Sequence, residues 1–183
     1  MESKWSVREM ALIAIMAAVI CVLGPLSLPI GPVPISLTNL AIYLAVYILG
    51  GKRATISYIV YLLIGMAGVP VFSGFTGGFG KLFGPTGGYL IGFILMALLC
   101  GWFIDRMHQR FVWSMLGMIL GTAVCYTFGT VWLAYQANLP MMAALAAGVL
   151  PFIPLDLAKM VVAAVAAPQI RRRLVKARIC HEA

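Results

Sequence analysis

The sequence predicts an all-α integral membrane protein, a single bundle of six transmembrane helices with both termini in the cytoplasm. Three observations predict it. Hydrophobic residues make up 63% of the chain and charged residues only 10%, where a soluble domain carries about 25% charged residues. Apolar stretches at 10–23, 37–49, 54–67, 89–104, 112–133 and 154–170 are separated by glycine, proline and basic residues. The basic residues also fall almost entirely on one side of the six stretches.

Each element follows from local signals. The start, Met1 to Arg8, leads straight into an apolar run with no small-residue cleavage site, so no cleaved leader is expected. The first span ends at Gly24-Pro25 and Pro29. The connection that follows, 24–36, holds four prolines, Pro25, Pro29, Pro32 and Pro34, which make it stiff and extended. The second span opens on Ser36, Thr38 and Asn39 and closes at Gly50-Gly51-Lys52-Arg53. Ser36 or Thr38 suits a helix cap. Asn39 is better placed to face the bundle interior and hydrogen-bond there. The third span gives way to a Gly- and Pro-rich loop, 68–88, in which aromatic residues alternate with glycines. A loop of that length and composition reads as functional. The fourth span ends in the basic loop 105–110, and the fifth and sixth follow. One membrane domain, 1–183, is expected.

Charge orients the bundle. Lys4, Arg8, Lys52, Arg53, Arg106, Arg110, Arg171, Arg172, Arg173, Lys176 and Arg178 all fall on one side of six spans; Lys81 alone falls on the other. The lysine- and arginine-rich side is the cytoplasmic one. The net charge of +8 then reflects orientation and contact with anionic lipid rather than nucleic-acid binding.

Several chemistries are not supported. The four cysteines, Cys21, Cys100, Cys125 and Cys180, read as small buried hydrophobes or free thiols. His108 and His181 have no cysteine, histidine or carboxylate at metal-ligand spacing, so no metal site is expected. The Gly-Gly pairs lack the lysine and Ser/Thr pattern of a phosphate-binding loop. No nucleophile–base pair lies within one motif, so no enzyme and no cofactor are expected.

One feature remains. Asp156 and Lys159 sit in an otherwise apolar stretch, three residues apart and so on one helical face. A charge at the centre of a membrane helix costs roughly 2.5–3.5 kcal/mol on insertion scales. The pair reads either as a site for a polar ligand or as an ion pair serving the fold. Arg171 lies fifteen residues beyond Asp156, about 22 Å at ~1.5 Å per residue. In a core about 30 Å thick the aspartate therefore sits in the outer third, with Lys159 about one turn deeper. Pro151 and Pro154 suit a helix start, where the helix dipole favours an aspartate. On the first span, Ala14 and Ala18 place two small side chains on one face, open to another helix of this chain or of a partner.

Four runs together resemble the BioY family, the biotin-binding S components of energy-coupling factor (ECF) transporters: Pro32–Leu37, Gly68-Val-Pro-Val-Phe72, Gly84-Pro-Thr-Gly-Gly-Tyr-Leu-Ile-Gly-Phe93 and Leu150-Pro-Phe-Ile-Pro-Leu-Asp156-Leu-Ala-Lys159. The chain departs from many members at Thr38-Asn39, where they have Gln-Thr, and at Leu155, where they have glycine. The resemblance implies high-affinity capture of biotin from the outer side of a prokaryotic plasma membrane. It also implies docking, through Ala14 and Ala18, onto a shared transmembrane coupling subunit driven by two cytoplasmic ATPases.

Biotin's chemistry suits the residues. Its ureido ring offers two N–H donors, which Asp156 can accept, and one carbonyl, to which Lys159 can donate; Lys159 could instead serve the carboxylate. Phe72, Phe75, Phe83 or Tyr89 would pack on the thiophane ring. The valerate carboxylate needs a cation or several donors: Lys81, Asn39, Ser73 and Thr86 are candidates, with Thr38 beside Asn39 as a further polar group. The alternatives are an S component for a different vitamin and a proton-coupled small-molecule carrier that titrates Asp156.

Overall fold

The computed structural model describes residues 6–107 and 110–177. Lys4, His108, Arg178, Cys180 and His181 lie outside the described residues. Helix α1 (Val7–Leu23) is followed by two short strands, β1 (Ser27–Leu28) and β2 (Ile35–Ser36), then by α2 (Thr38–Leu49) and α3 (Gly51–Met66). A one-turn helix, α4 (Phe79–Leu82), precedes α5 (Gly87–Arg106) and α6 (Phe111–Ala137); α7 (Met141–Gly148) and α8 (Ile153–Lys176) complete the described chain.

Each of the six apolar stretches is helical. Three helices, α5, α6 and α8, are long and apolar enough to cross a membrane by length and composition, and α2 is a shorter apolar helix. The local reasons are those of the sequence. Ser6 caps α1 in a reciprocal box, its hydroxyl accepting from the Glu9 N–H at 3.2 Å while the Glu9 carboxylate accepts from the Ser6 N–H at 3.0 Å. The same carboxylate pairs with Arg53 on α3. Asn138, left-handed at φ 51°, ends α6.

Helix α2 is the centre of the bundle. It packs against α1, α3, α5 and α8, and nine of its twelve residues are buried. A helix that is apolar on all sides is stable only when surrounded, and this one places Ile42, Tyr43, Val46 and Tyr47 wholly out of solvent. Helices α3 and α5 approach at Gly51 and Gly101, where a Cβ on Gly101 would overlap the Gly51 Cα. Asp105, one turn further along α5, accepts from the Gly51 N–H at 2.8 Å and so satisfies a donor at the start of α3.

One connection differs from its expected form. The proline-rich segment 24–36 folds back as a small antiparallel hairpin, Ser27 opposite Ser36 and Leu28 opposite Ile35. Pro25, Pro29, Pro32 and Pro34 all lie outside these pairs, since proline cannot donate to a ladder. The segment between α6 and α8 contains α7, a short apolar helix with no charged residue to mark its ends.

Candidate functional site

The first turn of α8 builds the site. Phe152 stands at its N-cap with Pro154 in the first turn, and Asp156 follows within that turn, where the helix dipole favours a carboxylate. Asp156 is 5% exposed. Lys159 lies one turn on, its ammonium 3.0 Å from Asp156 Oδ1. Its other two contacts are with the end of β2 and the start of α2: the Ser36 carbonyl at 2.7 Å and Asn39 Oδ1 at 3.1 Å. A lysine has three donors, so the protein supplies an acceptor for each. The buried charge is thereby both paired and hydrogen-bonded, the condition under which such a charge is tolerated.

The second Asp156 oxygen is held from α6. The Tyr126 hydroxyl donates to Oδ2 at 2.6 Å. An ionised carboxylate has about four acceptor sites, and these two donors leave capacity on each oxygen. Asn39, 3% exposed, faces the interior; its Oδ1 accepts from Lys159 and from the Leu40 N–H. Leu37 stands at the N-cap of α2, so neither Ser36 nor Thr38 caps it; the Ser36 hydroxyl instead accepts from the Thr38 N–H at 3.4 Å and donates to Thr38 Oγ1 at 3.0 Å.

These groups line one cavity that is partly open to solvent. Thr38, Asn39, Ser73, Thr86, Tyr89, Asp156 and Lys159 all contribute to its wall. So do Ser36, Tyr61, Phe93, Thr122, Cys125, Tyr126 and Phe152, which sequence patterns did not single out as ligand-facing. The Thr86 hydroxyl is buried with no hydrogen-bond partner among the described residues, which leaves a wall donor free for a ligand. The arrangement is a largely apolar cavity whose wall carries the Asp156–Lys159 pair and several neutral polar groups.

Phe72, Phe75, Lys81 and Phe83 lie outside the cavity lining. Phe72 is wholly buried, its ring edge-on to Tyr61 and seated where a Cβ on Gly65 would overlap it. It therefore pins loop 68–88 to α3 behind the cavity wall. The loop is held further by Gly78 N–H to Gly65 O at 2.7 Å and Gly74 N–H to Pro25 O at 3.1 Å. At its other end Trp132 Nε1 donates to Gly84 O at 2.9 Å, and Gln136 donates to the Phe83 carbonyl. Phe75 and Phe83 are exposed. Lys81, on α4, is the one cation of the loop, and its partial burial pushes the ammonium pKa down.

Elsewhere, Ala14 and Ala18 lie exposed on the same face of α1, while Ile13, Met16, Ala17 and Ile20 turn inward. Among the described residues no three histidine, cysteine, aspartate or glutamate side chains gather as a metal cluster. Cys100 and Cys125 are buried free thiols, and Cys21 is half-buried.

Comparison with known proteins gives one family. The BioY family model matches residues 1–176. A biotin transporter BioY from Thermotoga maritima is 36% identical over 165 residues, 90% of this chain and 96% of the relative. Biotin transporter BioY2 from Lactococcus lactis subsp. cremoris is 36% identical over 151 residues, 82% of this chain and 83% of the relative. The crystal structure of an S-component for biotin from an ECF-type ABC transporter superposes with a TM-score of 0.84 at 33% identity, covering 94% of this chain and 95% of that one.

Proposed function

The chain belongs to the BioY family, and on that premise we propose that it is the biotin-binding S component of an ECF-type vitamin uptake transporter. It is a transport protein and not an enzyme. One observation carries the assignment to biotin: a buried carboxylate, fixed from two sides by Lys159 and Tyr126 and with acceptor capacity left on both oxygens, lines a small-molecule cavity.

A ureido ring is a neutral group with two N–H donors. Asp156 accepts from it, and a hydrogen bond to an ionised acceptor is about twice as strong as a neutral one. The ureido carbonyl reaches Lys159 by replacing its longest contact, Asn39 Oδ1 at 3.1 Å, or accepts from the Asn39 amide. Tyr89 packs on the thiophane ring. Ser73 and Thr86 donate to the valerate carboxylate, with Thr38 supporting Asn39. Phe72 holds the loop that carries Phe75, Lys81 and Phe83 over the ligand, with Lys81 as its counter-charge.

The same reading gives a multi-pass protein of a prokaryotic plasma membrane, with α1, α2, α3, α5, α6 and α8 as six spans. The excess of basic residues on one side of six spans supports cytoplasmic termini. The exposed Ala14 and Ala18 face supports docking of α1 on a transmembrane coupling subunit that works with two cytoplasmic ATPases.

Isothermal calorimetry of the purified chain in detergent tests the ligand. Tight one-to-one binding of biotin is expected, with no heat from riboflavin or thiamine. A flat biotin titration, or tighter binding of another vitamin, overturns the assignment.

A further inference from the structure

We propose that Tyr126 is a positioning residue for ligand recognition: its hydroxyl sets the orientation of the Asp156 carboxylate in which the ureido group is received. The inference rests on the biotin reading above. Tyr126 belongs to α6 and Asp156 to α8, and the bond between them is 2.6 Å long, within the roughly 2.5–2.7 Å range of an O–H donor on an ionised oxygen.

The terminal torsion of an aspartate is broad and roughly two-fold. Lys159 holds Oδ1, but one ammonium at one oxygen leaves the carboxylate plane free to turn about that contact. The Tyr126 hydroxyl on Oδ2 removes this freedom. A planar ureido ring presents its N–H donors in fixed directions, so the plane of the acceptor decides how well they are met.

Tyr126 has a second duty that separates ring from hydroxyl. It lines both the Asp156 cavity and a neighbouring apolar groove between α6 and α7, bordered by Thr127, Val131, Met141 and Leu145. The ring is a partition between the two spaces, and the hydroxyl faces the carboxylate. Tyr126→Phe keeps the partition and deletes only the bond to Asp156.

The test compares two ligands on the full chain in detergent: biotin by calorimetry, and biotin methylated on a ureido nitrogen by competition with labelled biotin. Tyr126→Phe is expected to weaken biotin about 10- to 100-fold, because the untethered carboxylate plane meets the ureido donors less well. The methylated ligand, already deprived of an N–H, should weaken only about twofold to threefold, so discrimination between the two falls about tenfold or more. The ligand-free melting temperature should fall modestly, because Asp156 Oδ2 loses its donor. Tyr135→Phe, at an exposed site on the same helix, should behave as the unsubstituted chain throughout.

Biotin affinity within about twofold of the unsubstituted chain overturns the inference. Equal weakening of both ligands does so too, because a loosened wall would treat them alike. If the unsubstituted chain binds no biotin, the functional reading fails and takes this inference with it; that result is distinct from normal binding by the Phe variant, which removes the inference alone.

Discussion

At one end of α8 a lysine reaches back to the start of α2, and near the other end an arginine reaches α2's last turn. Lys159 Nζ donates to the Ser36 carbonyl at 2.7 Å, and Arg171 Nη1 to the Tyr47 carbonyl at 3.1 Å. Tyr47 lies in the last turn of its helix. Joining the two helices therefore needs only a cation and a carbonyl. The Lys159 end has far more: a buried carboxylate, an inward amide, a tyrosine from a third helix and a cavity. What exceeds the requirement for joining helices is what a ligand would use.

Substitutions at the two ends should therefore diverge. The largest effect is expected for Lys159→Ala, which strands Asp156 in a buried position. Removing one partner of a buried pair costs roughly 3–5 kcal/mol, so thermal melting should fall sharply and biotin binding should vanish from calorimetry. Asp156→Asn keeps the shape but discards the charge-assisted acceptor; a loss of biotin affinity on the order of 100-fold or more is expected. If Asp156→Asn instead bound biotin normally, the cavity end would be as structural as the other.

Gly101→Val acts at the opposite end, where a Cβ would overlap Gly51. Forcing α3 and α5 apart should destabilise by about 1–3 kcal/mol, read as a lower melting temperature with biotin affinity preserved in the folded fraction. Arg171→Ala should cost about 1 kcal/mol, one hydrogen bond from a charged group in a partly buried place, and leave biotin affinity unchanged. A loss of binding in Arg171→Ala would show that the two ties act as one device. The smallest structural effect belongs to Ala14→Leu on the exposed α1 face: stability within about 0.5 kcal/mol of the parent and intact biotin binding. Uptake in cells that contain the coupling subunit and ATPases should fall, which separates docking from capture.

The site was legible where one stretch of chain carries it. Asp156 and Lys159 declare themselves as two charges in an apolar helix, and Asn39 as an amide at the start of another. Tyr126 could not be found this way. A tyrosine in an apolar span reads as an ordinary core or lipid-facing residue, and only its bond to a carboxylate thirty positions away distinguishes it. Loop 68–88 misleads in the same manner. Its aromatics look alike in sequence, yet Phe72 is buried against Gly65 and Tyr61 while Phe75 and Phe83 are exposed.

The sequence by itself determined where six of the helices lie, because apolar runs, glycines, prolines and caps act within a few residues of themselves. It also determined that α8 carries an acid and a base on one face, since that follows from a spacing of three. The tertiary structure alone decided what meets them. The Ser36 carbonyl stands 123 residues from Lys159 and the Tyr126 hydroxyl 30 from Asp156. Such contacts depend on how whole helices pack, and close packing is a property of surfaces assembled from distant segments. No local pattern encodes which donor will meet the second oxygen of a buried carboxylate.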